Sequence, residues 1–113
     1  DVGAALGVGG HLTSLRRTGI GEHAVDDAVP AGELANPAAV RAAWITPLDA
    51  LSHLPALEAS PREVTRLASG GAVTAPAGAP PAGLVAVARD GELLAIAEVR
   101  DGWITPRKVF IRV

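Results

Sequence analysis

The sequence predicts an α+β fold in which a short helix-and-loop region leads into a small antiparallel β-barrel with one helix. Three observations carry that expectation. Two Asp-Gly pairs, Asp90-Gly91 and Asp101-Gly102, each interrupt runs rich in β-branched and apolar residues, and Asp-Gly suits the type I′ turn whose twist matches a hairpin. Ser60-Pro61-Arg62-Glu63 combines an N-cap serine, a first-turn proline and a glutamate three residues after the cap, chemistry that satisfies the orphan N–H groups of a starting helix. With 113 residues, 49% of them hydrophobic, the chain has material for one modest core or a core plus an appendage.

From the start of the chain, Val2, Ala5 and Leu6 form a short helical stripe. Gly7-Val8-Gly9-Gly10 ends it, because glycine enters the left-handed region without steric cost. His11 to Ile20 mixes β-branched and apolar residues with Arg16 and Arg17 and is expected to be extended, closed by Gly19 and Gly21. Short helices joined by loops are expected over Pro37–Ala43 and Pro47–Leu51. The helix begun at Ser60 carries Val64, Leu67 and Ala68 at i, i+3, i+4 spacing and stops at Gly70-Gly71. Ala75 to Gly83 is a Pro/Ala/Gly loop too poor in large apolar groups to pack alone. Strands are expected over 84–89, 92–99 and 103–112, with short ones at Ala56–Ala59 and near Val73. Trp103, which opens a strand beside a glycine, is expected to anchor the core.

Most catalytic chemistry is absent from the pattern. The chain has no Cys, which removes disulfides, thiolate nucleophiles and Cys-ligated zinc together. His11, His23 and His53 lie far apart without a partner at metal-ligand spacing, so no metal site is expected. Ser14, Ser52, Ser60 and Ser69 lack a G-x-S-x-G elbow, and the glycines of "GVGGHLTSL" match neither phosphate-binding glycine motif. Asp26-Asp27 reads as charge at a helix N-terminus, since adjacent residues on a helix point in different directions.

What remains is cationic. A net charge of −2 excludes a globally basic nucleic-acid binder, yet the charge is segregated. Glu22 to Glu58 holds six acids against Arg41 alone, whereas Arg16-Arg17 and the later Arg100, Arg107, Lys108 and Arg112 are basic. Such segregation can make a phosphate-facing stripe, and the same arginines on a hairpin could equally be solvated edge charges that discourage strand pairing. Trp44, Trp103 and Phe110, the only aromatics, are too few for a multi-base stacking platform.

"DVGAALGVGGHLTSLRRTGIG" resembles the segment of TruB-type tRNA pseudouridine synthases in which a helix end, a Gly-rich turn and H-L-x-x-L-R-R-T-x-I-G follow one another. The resemblance continues through "PLDALSHLPALEAS" to "GELLAIAEVRDGWITPRKVFIRV", which is similar to the family's C-terminal PUA-like barrel. It implies that residues 1–54 are the end of a catalytic α/β domain with its linker and that 55–113 are a PUA-like RNA-binding domain. The implied reaction is isomerisation of a T-arm uridine of tRNA (position 55) to pseudouridine without metal or organic cofactor. The uridine-attacking aspartate would then precede Asp1, so this chain would contribute a pocket wall and RNA positioning and be inactive alone.

Carried over residue by residue, the resemblance puts Leu15 in the apolar wall of the pocket for the flipped uridine, where an unstacked base needs apolar cover. Arg16 and Arg17 match the family's paired arginines. Alternation along an extended chain would send one toward the core or the catalytic half and the other toward RNA phosphate. His11 and Thr13 share a face with Leu15 in an extended segment. Gly70-Gly71 would let RNA approach the backbone, and Arg107 and Lys108 would rest on the tRNA. The implied partners are tRNA, through its T-arm, and the missing N-terminal catalytic half, with a monomeric chain. No apolar run approaches the ~18–20 residues needed to cross a bilayer, and the lack of Cys fits a reducing compartment, so a cytoplasmic location without membrane contact is expected. Two rivals stand beside this reading: a stand-alone PUA-type RNA-binding module, and a non-catalytic protein-interaction domain.

Overall fold

A computed structural model describes residues 1–111 and divides into two compact units, one over Asp1–Trp44 and one beginning at Ile45. Arg112, counted above in the last strand and among the basic residues, lies outside the described residues.

The first unit is built on local capping. Helix α1 (Val2–Leu6) starts where the Asp1 carboxylate accepts the Gly3 and Ala4 N–H groups at 2.9 and 3.4 Å. It ends at Gly7, in the left-handed conformation with φ 70°. The Gly-rich turn then folds back so that the Val8 and Gly9 N–H groups donate to the Gly3 carbonyl. A β-carbon on Gly3 would sit inside the Gly9 carbonyl group, so glycine is required there by close approach. The extended segment expected over His11–Ile20 forms a strand only at its end: β1 (Gly19–Ile20) pairs antiparallel with β2 (His23–Ala24). The physical reason is pairing, since a strand needs a partner for its N–H and C=O groups. Residues 11–17 form no backbone hydrogen bond of the turn, loop or ladder kind among the described residues. Asp26 and Asp27 lie in the first turn of a 3₁₀ helix, Val25–Asp27. Helix α2 (Pro37–Ala42) starts from Asn36, whose side-chain oxygen accepts from Ala38 and Ala39.

The second unit is α+β, and its sheet is a curled half-barrel. Strands β3 (Ala56–Glu58), β4 (Val73–Thr74), β5 (Gly83–Arg89), β6 (Glu92–Arg100) and β7 (Trp103–Val109) lie in the order β3-β5-β6-β7-β4. The central hairpins are antiparallel, while β3 joins β5 in parallel. Their connection passes through α3 (Pro61–Ala68) and β4, long enough for the crossover that parallel strands require. Both Asp-Gly turns have positive φ at both residues, 51° and 81° at Asp90-Gly91 and 51° and 77° at Asp101-Gly102, as type I′ demands.

Alternation along these strands points Val85, Val87, Ala95, Ala97, Val99 and Ile104 into one core, closed by Leu67 of α3 and by Ala59 and Val73. Burying Leu67 fully contributes about 1.5–3 kcal/mol, and it is 1% exposed. The expectation that Trp103 anchors this core is overturned, because Trp103 is 51% exposed and Ile104, next in β7, takes the inward position. All three aromatics, Trp44, Trp103 and Phe110, are half or more exposed, so the core is aliphatic.

Candidate nucleic-acid interface

In the first unit His11, Thr13, Leu15, Arg16 and Arg17 are all exposed, on one continuous segment without regular structure. Leu15 is 81% exposed, a costly place for a leucine in water. The two arginines differ. Arg17, with Thr18, Ile20 and His23, borders a hollow of about 210 Å³ against the β1–β2 hairpin, and Arg16 does not. His11 borders a separate hollow of about 470 Å³ with Val2, Leu6 and Leu12 of the α1 region. Neither arginine has a carboxylate within ion-pair reach among the described residues.

The second unit treats its cations unequally. A bulge in β7 leaves Arg107 as the extra residue between Pro106, opposite Ala97, and Lys108, opposite Ile96; bulges re-aim side chains in this way. The Arg107 guanidinium is bound to the Glu98 carboxylate, with Nε donating at 2.8 Å. Arg100 lies 3.6 Å from Asp101, and Arg89 is 3.2 Å from Asp90 while donating to the Ala59 carbonyl. Lys108 is exposed with no carboxylate partner among the described residues.

Gly70 and Gly71 sit at the end of α3. The Arg66 Nε donates to the Ala72 carbonyl at 2.6 Å, and a β-carbon on Gly71 would meet Arg66 Cγ at 2.8 Å. The group that approaches Gly71 closely is therefore Arg66 of the same chain. Glu63, Arg66, Val73, Thr74 and Trp103 line a cleft of about 330 Å³. Glu63 is held ionised below its ordinary value, chiefly by the Ser60 hydroxyl and then by the Ser60 N–H, both donating to one carboxylate oxygen. Sequence reasoning did not single out Arg66, which lines this cleft. The available signal was a helical arginine five residues before a glycine, which has meaning only once the turn closes. Among the described residues, no group of three or more His, Cys, Asp or Glu is placed to hold a metal ion, and no helix is long and apolar enough to cross a membrane.

Comparison with known proteins adds to this geometry. No protein-family model matches the chain. A tRNA pseudouridine synthase B of Aromatoleum aromaticum is 42% identical over 112 residues, covering 96% of this chain and 36% of the relative. One from Thermobifida fusca is 39% identical over 112 residues, covering 97% and 36%. One from Corynebacterium efficiens is 62% identical over a shorter stretch of 34 residues, 30% of this chain. The chain thus spans little more than a third of the length of the curated relatives it matches. Over nearly all of its own length, this chain belongs to the tRNA pseudouridine synthase B family.

Proposed function

We propose that this chain is the RNA-positioning part of a tRNA pseudouridine synthase that converts a T-arm uridine to pseudouridine, with the attacking aspartate supplied by polypeptide outside these residues. The observation that carries the reading is the 42% identity over 112 residues to a protein of that name. In this reading Leu15 walls the pocket of the flipped base, and of the two arginines Arg16 reaches RNA phosphate while Arg17 turns to the hairpin hollow it borders. His11, Thr13, Gly70, Gly71, Arg107 and Lys108 are the outlying RNA contacts. Support comes from the first unit, where Gly3 alone is fully buried while Val2, Leu6, Val8, Leu12 and Leu15 are more than two-thirds exposed. So many exposed large apolar side chains in one short stretch point to an interaction face, and the catalytic half is the partner proposed to cover it.

The test is a chimera in which this chain replaces the matching segment of the Aromatoleum aromaticum relative. It is expected to form pseudouridine in a T-arm transcript, while the isolated 113 residues form none. Leu15→Ala in the chimera should lower kcat/KM by roughly 10- to 200-fold, the range for truncating an apolar pocket. Unchanged kcat/KM would remove Leu15 from the pocket, and isomerisation by the isolated chain would overturn the division of labour. A second reading, an RNA-binding module without catalysis, is favoured by the complete core of the second unit; RNA binding by an inactive chimera would support it.

A further inference from the structure

We propose that the cleft between α3, the Gly70-Gly71 turn and the start of β7 holds one unpaired RNA nucleotide, its base stacked on the Trp103 indole and its phosphate on the Arg66 guanidinium. The proposal rests on the RNA-binding reading above and assigns it a site that does not depend on catalysis. Trp103 is one of two tryptophans in the chain and is 51% exposed at the rim of the cleft. Its cross-strand neighbours are Thr74 on β4 and Arg100 on β6. An indole left half in water forgoes the apolar burial its area would give, and a flat apolar face flanked by cations is what a nucleobase can stack on. A base inside a duplex already has both faces covered, so only an unpaired one can use it.

Arg66 supplies the charge. Its Nε is committed to the Ala72 carbonyl at 2.6 Å, which fixes the guanidinium and leaves its terminal amino groups to bind. Among the described residues no carboxylate lies within ion-pair reach of it. A guanidinium anchored in advance loses little freedom on binding phosphate and presents a fork that matches its oxygens. The absence of a Gly71 side chain allows this placement. Glu63 lines the same cleft, but its carboxylate is turned to Ser60, whose N–H and hydroxyl both donate to it and so offset part of its negative charge. The volume, about 330 Å³, falls within the range of small-ligand sites.

The test uses the full chain with Trp44→Phe, so that Trp103 is the only indole, titrated at low salt with single-stranded hexa-adenylate RNA. Quenching of Trp103 fluorescence is expected in this parent, and Kd, read for every variant from the fluorescence anisotropy of a 5′-fluorescein-labelled hexamer, should be weakened about tenfold by Trp103→Ala and by a similar factor by Arg66→Gln. Trp103→Phe should restore most of the lost affinity, and an abasic hexamer should bind the parent as weakly as hexa-adenylate binds Trp103→Ala. Thermal melts of each variant separate loss of the site from loss of the fold, and Trp103→Ala, at an exposed position, is the variant that decides. Equal binding of abasic and adenylate RNA, or unchanged affinity in Trp103→Ala, overturns this site while leaving RNA binding elsewhere intact. No RNA binding by the parent at low salt overturns both this proposal and the reading beneath it.

Discussion

Gly70 and Gly71 are neighbours with opposite needs. Gly70 has φ 82° and open space around a would-be β-carbon, so Gly70→Ala meets only backbone strain, about 1–2 kcal/mol. Gly71 has an ordinary φ, but its β-carbon would meet Arg66 Cγ at 2.8 Å and the Arg66 carbonyl oxygen at 3.0 Å. Gly71→Ala should therefore cost about 1–3 kcal/mol through overpacking, and adding Arg66→Ala should return part of that loss as a coupling between the two sites. Urea denaturation of the two single variants and the double variant measures this; strictly additive effects would show that the Arg66 side chain does not press on Gly71. Charge counting likewise treats Arg107 and Lys108 as equals, and the bulge separates them, committing Arg107 to Glu98 and leaving Lys108 exposed. That bulge sits beside Pro106, which cannot donate to the ladder, so a trace of it is present in the sequence, but the carboxylate it aims at is nine residues away.

The elements most legible from sequence were those whose decisive contacts lie within a turn. Helix α3 starts at Ser60 because the Ser60 N–H and hydroxyl both donate to Glu63, at 2.7 and 2.6 Å. These bonds favour the charged form of Glu63, so its pKa is lower folded than unfolded. A depressed carboxyl pKa contributes stability that is fully present above the unfolded value, about 4.3 for glutamate, and is lost as pH falls through the folded value. Ser60→Ala should destabilise the second unit by about 0.5–2 kcal/mol at neutral pH. The gap between variant and parent should narrow on acidification below the glutamate range. Circular dichroism melts at neutral and acid pH test this, and a gap of undiminished size in acid would show that the cap acts without the charge. The segment at His11–Ile20 failed for the complementary reason: its composition suits a strand, but a strand exists only where a partner does, and β2 reaches only Gly19 and Ile20.

For the molecule as a whole, burial is uneven. The first unit fully buries only Gly3, whereas the second holds the whole aliphatic core. Local opening follows such differences, so a nonspecific protease should cut within residues 1–44 well before the second unit yields, which mass spectrometry of a time course reads directly. Leu67→Ala, at 1% exposure, should remove about 2–5 kcal/mol from the second unit and bring its cleavage forward; unchanged protection would place Leu67 outside the stabilising core. The sequence by itself determined the type I′ turns at Asp90-Gly91 and Asp101-Gly102, the Ser60 cap and the glycine stops, because each depends on backbone conformation and partners a few residues apart. It also carried the family resemblance, written in the order of residues alone. Only the tertiary structure decided that Trp103 faces outward while Ile104 fills the core, that Arg66 lies over Gly71, and that Arg66 and Trp103, 37 positions apart in the chain, come to one cleft. Which strand pairs with which, and on which face, is set by contacts distant in sequence, and no local pattern encodes them.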